Sequence, residues 1–355
     1  MHIRLVLALF VLGLAAGCSL EEERSESGDG ARSRDAAGLE TLIEGLNNPS
    51  HVSFSPDGKL TVCSAGPGRD GGNGRVIVWR NNAHSDFITG FPTQYWKPGK
   101  EGAPDRFKLG PLSAVWTTDD ELVVSNSGLA DGVDHLLVFA GGGDAKEGEP
   151  TNAVPPTSDD EADNGEGNFT GLSLAADGKS VYVCGQGADA KSWLLACDVA
   201  ERKLQGFASA DDNGITVNSP MDSLAWGTDA VLVLYSGAGG KEDGLLVLWD
   251  LATRKPVTRW TLPGVFDPMG MARVPGSDDL VVVDNNWDLT SVKQGRLARI
   301  SLTEDGGAAE VTMIREDLPG PTSCAFGPNG RLFVSLLGPE FDKDLGSVVA
   351  ISGIR

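Results

Sequence analysis

The side chains able to do chemistry are few and far apart in the chain. His51, Asn126, Asp222, Asp284 and Asn285 fall at matching places in a repeated sequence unit, and Trp96 stands in an aromatic and basic insertion. Two carboxylates and two amides are oxygen donors of the kind a hard divalent cation takes, if about six oxygens converge on one point. A histidine beside them could pass a proton near neutral pH. Only His51, His84 and His135 follow the N-terminal leader, each in a different segment, which argues against a metal or nucleophile site built on histidine.

Sequence motifs that resemble known sites fail on inspection. Gly66-Pro67-Gly68-Arg69-Asp70-Gly71 has the dinucleotide-binding spacing, but Pro67 and further glycines lead into a strand, whereas that site needs a helix. Ser236-Gly237-Ala238-Gly239-Gly240-Lys241 lacks the full phosphate-loop spacing, and Glu242 stands where Ser or Thr must bind magnesium. Asp159, Glu161 and Asp163 suggest a calcium loop, yet Asn164 and Thr170 occupy its glycine and glutamate positions. There is no GxSxG elbow and no HExxH. The four cysteines after residue 18 are Cys63, Cys184, Cys197 and Cys324; Cys184–Cys197 and Cys63–Cys324 pairs, or four buried thiols, are both open readings.

The element that must position these residues is a strand, turn, strand unit whose clearest copy is Asn48–Gly66. Val52 and Phe54 alternate with Ser53 and Ser55, and Pro56-Asp57-Gly58 supplies turn chemistry before Leu60, Val62 and Cys63 open a second strand. Further copies begin at Pro111, Phe169, Pro220, Pro268 and Pro321, at intervals of about 50 residues. A third strand follows in each copy and a fourth in most. The period predicts an all-β, six-bladed β-propeller with four-stranded blades over residues 39–355. The last copy lacks its outer strand, and residues 40–46 resemble the fourth strand of the copy before it, so the N-terminal segment is expected to close the ring. Connections after the second strands, and the insertions 93–110 and 141–168, emerge on one face of the disc, which is where function is expected.

Residues 1–17 have Arg4, an apolar run from Leu5 to Ala16, and a small-residue end at Cys18. Leu14-Ala15-Ala16-Gly17-Cys18 resembles the lipobox of bacterial lipoprotein signal peptides. The resemblance implies lipidation at Cys18 and a place in the bacterial cell envelope, held to a membrane by lipid alone. Residues 18–38 read as a disordered tether with a reach of roughly 25 Å. With Lys+Arg 29 against Asp+Glu 50, the net charge of −21 repels nucleic acid and anionic lipid. A monomer is expected.

Pro268-Met269-Gly270-Met271-Ala272, Phe54-Ser55-Pro56-Asp57-Gly58, Val124-Ser125-Asn126-Ser127-Gly128 and Val283-Asp284-Asn285-Asn286 together resemble six-bladed propellers of the NHL-repeat and gluconolactonase-like (senescence marker protein) superfamily. Arg75–Trp79 would suit WD-type propellers equally. Catalytic members of that superfamily hold a divalent cation in the central funnel, several ligands standing at or just after the opening proline. Here the residues after it are Ser50, Leu112, Thr170, Met221, Met269 and Thr322, with no carboxylate or amide among them. The leading expectation is therefore a non-enzymatic module whose loop-rich face binds a protein or glycan, without a metal or other cofactor. The alternative is a metal-dependent lactonase-type hydrolase, calcium being the candidate ion, which needs Asp222, Asp284, Asn126 and Asn285 to converge. A quinone-dependent sugar dehydrogenase would need a histidine base, and only His51 could serve.

Overall fold

The computed structural model describes residues 38–354 apart from 68–71, 98–105, 130–131, 154–166, 187–191, 218, 287–293 and 341–342. Cys18, the leader and nearly all of the tether lie outside the described residues, as does most of the acidic loop 155–168.

Six antiparallel sheets of four main strands form the ring, each running from an inner first strand to an outer fourth. The first strands are Pro49–Phe54, Ala114–Trp116, Gly167–Leu174, Ser219–Trp226, Pro268–Arg273 and Pro321–Phe326, in blades 1 to 6. The turns joining them to the second strands fold as their residues dictate. In blade 1, Gly58 takes φ +81° and donates its N–H to Ser55 O at 2.9 Å, while the Ser55 hydroxyl bonds Asp57. Gly330 in blade 6 repeats this with φ +73°.

Second strands read as unbroken apolar runs because both faces are covered. In Leu280–Asp284 every residue is buried. Val282 packs into the core between blades 4 and 5, and Val281 and Val283 into that between blades 5 and 6. Each of the six seams carries one such apolar cluster.

Leu39–Leu46 closes the ring, as its sequence predicted. It pairs antiparallel with Gly346–Ile351 as the outer strand of blade 6, buries Ile43 and Leu46, and ties Glu40 to Arg331. Closure leaves that sheet edge paired. Two other outer edges are covered by short parallel strands that the repeat pattern did not predict: Gly143–Asp144 beside Ile88–Thr89, and Gly307–Ala308 beside Trp260–Thr261. Insertion 93–110 folds as a hairpin of Gln94–Lys97 with Arg106–Leu109.

All four described cysteines are free and buried. Cys184 lies opposite Leu194 and Cys197 opposite Val181, and the two thiols pack into different seams, so they cannot bridge. Cys63 and Cys324 likewise belong to separate seam cores.

Candidate functional site at the axial channel

The first strands surround the axis, and in five blades the start of that strand carries a register shift. In blade 1 the shift falls between Pro49 and His51 and makes Ser50 the extra residue, a bulge that re-aims side chains. At the shift the residues after the opening position turn toward the next blade. The Ser50 hydroxyl donates to Pro111 O at 3.0 Å, Thr170 to Pro220 O at 2.5 Å and Thr322 to Pro49 O at 2.7 Å. Asn285 Nδ2 does the same for Pro321 O at 2.9 Å, and Ser127 Oγ for Phe169 O at 3.4 Å. These side chains join blade to blade around the channel mouth. Where the superfamily resemblance implied metal ligands, this chain has three hydroxyls engaged in inter-blade bonds and the apolar side chains of Leu112, Met221 and Met269.

One residue further on, a second set of side chains accepts backbone N–H groups from the next first strand. His51 Nδ1 takes Ala114 N at 3.4 Å, Ser113 Oγ takes Leu172 N at 3.0 Å, and Ser323 Oγ takes Val52 N at 3.4 Å. Asp222 Oδ2 takes Met271 N at 2.8 Å, and its Oδ1 takes Ser223 N, also at 2.8 Å. The matching residues in blades 3 and 5 are Gly171 and Gly270, which accept nothing through a side chain. Accepting at Nδ1, a neutral His51 carries its proton on Nε2.

Asp222 is 6% exposed with no cation bonded to it. Burial pushes its carboxyl up to about 7, against the pull of the Met271 and Ser223 N–H groups. Burial holds the half-buried His51 imidazole down at about 4. The two lie in one layer of the ring, on blades 1 and 4. The Asp222 charge also raises the buried thiols of Cys184 and Cys324, whose main shift is burial itself.

Asp284, at the end of a second strand, is arranged otherwise. It is fully buried, with Oδ1 accepting Asp267 N at 2.8 Å and Asn286 N at 3.1 Å. Oδ2 accepts Phe266 N at 3.1 Å and pairs with Arg296, itself stacked on Phe266. A carboxylate offers about four acceptor positions, and here all are taken. Asn126 Nδ2 contacts His135 Nε2 at 3.3 Å, and its buried oxygen meets no donor. The Trp96 side chain lies outside the described residues.

The residues proposed from sequence therefore separate. Asp222 and His51 share the inner layer; Asp284, Asn285 and Asn126 stand at strand ends on other blades. Among the described residues, no three His, Cys, Asp or Glu side chains are grouped to hold a metal ion. Asp284 has no acceptor position left and sits against a guanidinium, so the donor set does not fit the superfamily's cation cage. Sequence reading missed Arg296, Ser113, Ser323 and the glycines. The repeat alignment placed Ser and Gly at these positions, but their bonds and close contacts cross between blades.

No family model matches the chain, and no curated protein matches it by sequence. Solved structures do match. A candidate glucose dehydrogenase from Thermus thermophilus is 17% identical with a TM-score of 0.58, covering 89% of this chain and 99% of its own. The soluble aldose sugar dehydrogenase of Escherichia coli, in apo form, is 15% identical with a TM-score of 0.56, covering 90% and 100%. A candidate gluconolactonase is 12% identical with a TM-score of 0.52, covering 90% and 93%. The likeness is one of fold.

Proposed function

We propose that this propeller is a carbohydrate-directed enzyme of the lactonase type working in the axial channel, with Asp222 as the general base. The observation that carries this reading is the state of that carboxylate. Each oxygen accepts one N–H and keeps a second acceptor position. Its pKa, raised to about 7, suits a base working near neutrality. In the reaction, Asp222 takes a proton from water as the oxygen adds to the lactone carbonyl. The ring C–O bond then breaks and the proton passes to the leaving oxygen. The neutral His51, with its proton on Nε2, is suited to donate a hydrogen bond to substrate and not to act as a base. That disfavours the dehydrogenase reading, although several structural neighbours bear sugar-dehydrogenase names. The enzymes among the neighbours raise the lactonase reading above the binding module first expected.

The saturation of Asp284 and the use of Asn285 as an inter-blade tie favour the second reading, a non-enzymatic module for a protein or glycan. Hydrolysis of aldonolactones, followed by proton release with and without added calcium, separates the two. The enzyme reading expects turnover above the spontaneous rate, rising with pH through about 7, and about a 100-fold fall in Asp222→Asn. Wild-type protein that leaves every lactone at its spontaneous rate would favour the binding module. The same proposal keeps a lipid anchor at Cys18 in a bacterial envelope: Cys18→Ser should move the protein from the membrane to the soluble fraction.

A further inference from the structure

We propose that Gly171, on the neighbouring blade, is the positioning residue for the Asp222 carboxylate. This rests on the reading of Asp222 as the base, and the repeat itself supplies the argument. In blades 1, 2 and 6, the residue matching Gly171 reaches across the seam and accepts an N–H from the next first strand. A side chain at 171 would claim Ser223 N in the same way. With glycine there, Ser223 N turns to Asp222 Oδ1 at 2.8 Å, while Oδ2 keeps Met271 N at 2.8 Å. Both oxygens are thus pinned by backbone donors from two adjacent strands, with their remaining acceptor positions still open.

Space matters as much as bonding. A Cβ on Gly171 would stand 2.6 Å from Asp222 Cα, 2.6 Å from Met221 O and 3.0 Å from Asp222 Oδ1. The first two atoms are backbone and cannot swing aside, so the strand bearing the carboxylate must shift. Gly270 is the other glycine at this place in the repeat. That glycine precedes Met271, whose N–H is on Asp222, so the control is Gly110 instead: its Cβ would press on the neighbouring blade in the same manner, 2.6 Å from Ala65 O and 2.9 Å from Ala65 Cα, and none of those atoms belongs to a carboxylate. The other titratable groups that sense Asp222 are the Cys184 and Cys324 thiols, which burial holds well above their ordinary range and so neutral at the pH of the test.

In wild-type protein labelled with 15N at serine and methionine, the amide signals of Ser223 and Met271 should move together with pH, sharing one midpoint. Both movements should vanish in Asp222→Asn. Separate midpoints, or no movement, would overturn the double hold whether or not the protein turns over any lactone. Gly171→Ala should then shift the shared midpoint and lower kcat by about 100-fold with KM little changed, the scale expected for a 1 Å misplacement. Gly110→Ala should lower the melting temperature comparably and leave midpoint and kcat alone. If the two glycine variants behave alike in every readout, Gly171 is only a packing residue and the proposal fails.

Discussion

Asp284 and Asp222 are both buried acids of adjacent blades, and they resolve the cost of burial in opposite ways. Asp284 is neutralised by Arg296 and takes three backbone N–H groups, leaving nothing to offer a ligand. Asp222 has two N–H groups and, among the described residues, no cation, so burial outweighs the pull of its donors. A buried charge that is fully paired is part of the structure. A buried acid that is only half satisfied holds a proton near neutral pH, which suits it to reaction.

The largest expected effect breaks the closed side of this comparison. Asp284→Ala strands a partly buried guanidinium and three N–H groups, and should cost about 3–5 kcal/mol of stability. Asp222→Asn keeps the shape and one acceptor, and should cost about 1–2 kcal/mol. Urea unfolding of both variants measures the difference. Equal losses would mean that the two acids are alike in kind.

The pH dependence of stability sharpens the open side. From pH 3.8 to about 7 the folded state keeps the Asp222 proton while the unfolded chain has lost it. That stabilisation is complete below pH 3.8 and lost as pH rises through about 7, by at most roughly 1.4 kcal/mol per pH unit. His51 acts with the opposite sign. Between about 4 and 6.5 the unfolded chain holds a proton that the folded state does not, so stability rises with pH there. The two slopes oppose one another in wild type. Asp222→Asn should therefore leave stability rising from pH 4 to 6.5, and His51→Gln should leave it falling from pH 4 to 7. Melting temperatures at pH 4.5, 5.5 and 6.5 read both slopes; parallel curves for the three proteins would refute the opposition.

The architecture was legible because it is written locally. Pro56-Asp57-Gly58 and its copies fix the turns, the all-apolar second strands announce two buried faces, and residues 40–46 match the strand that the last blade lacks. The site was legible only in part. Aligning the copies picks out Asp222, a carboxylate where other blades have Ser, Gly or His. What the alignment could not give is what each polar group touches. Asp222 bonds Met271, 49 positions away, and Thr322 bonds Pro49, 273 positions away. Such partners are set by how one blade packs against the next, which no local spacing encodes. Asp284 looked like a ligand for the same reason: Arg296 lies 12 positions on in the chain, and only strand register places it opposite.

The smallest expected effect sets the scale against which the two acids should be judged. The ordinary joints of this ring are neutral hydrogen bonds, such as Thr322 Oγ1 to Pro49 O at 2.7 Å across the closing seam, and Thr170 Oγ1 to Pro220 O within the continuous chain. Replacing either threonine with valine keeps the shape and removes the donor, which should cost about 1 kcal/mol. Thr322 Oγ1 also meets the Ser335 hydroxyl at 2.8 Å, so Thr322→Val is measured in a Ser335→Ala background, where the two losses should be equal if the closing strand Leu39–Leu46 makes the sixth blade as firm as the others. A clearly larger loss for Thr322→Val would show that the closing seam depends on its side-chain bond more than the internal seams do. Ring closure, and not the chemistry of the buried acids, would then be what limits the stability of the propeller.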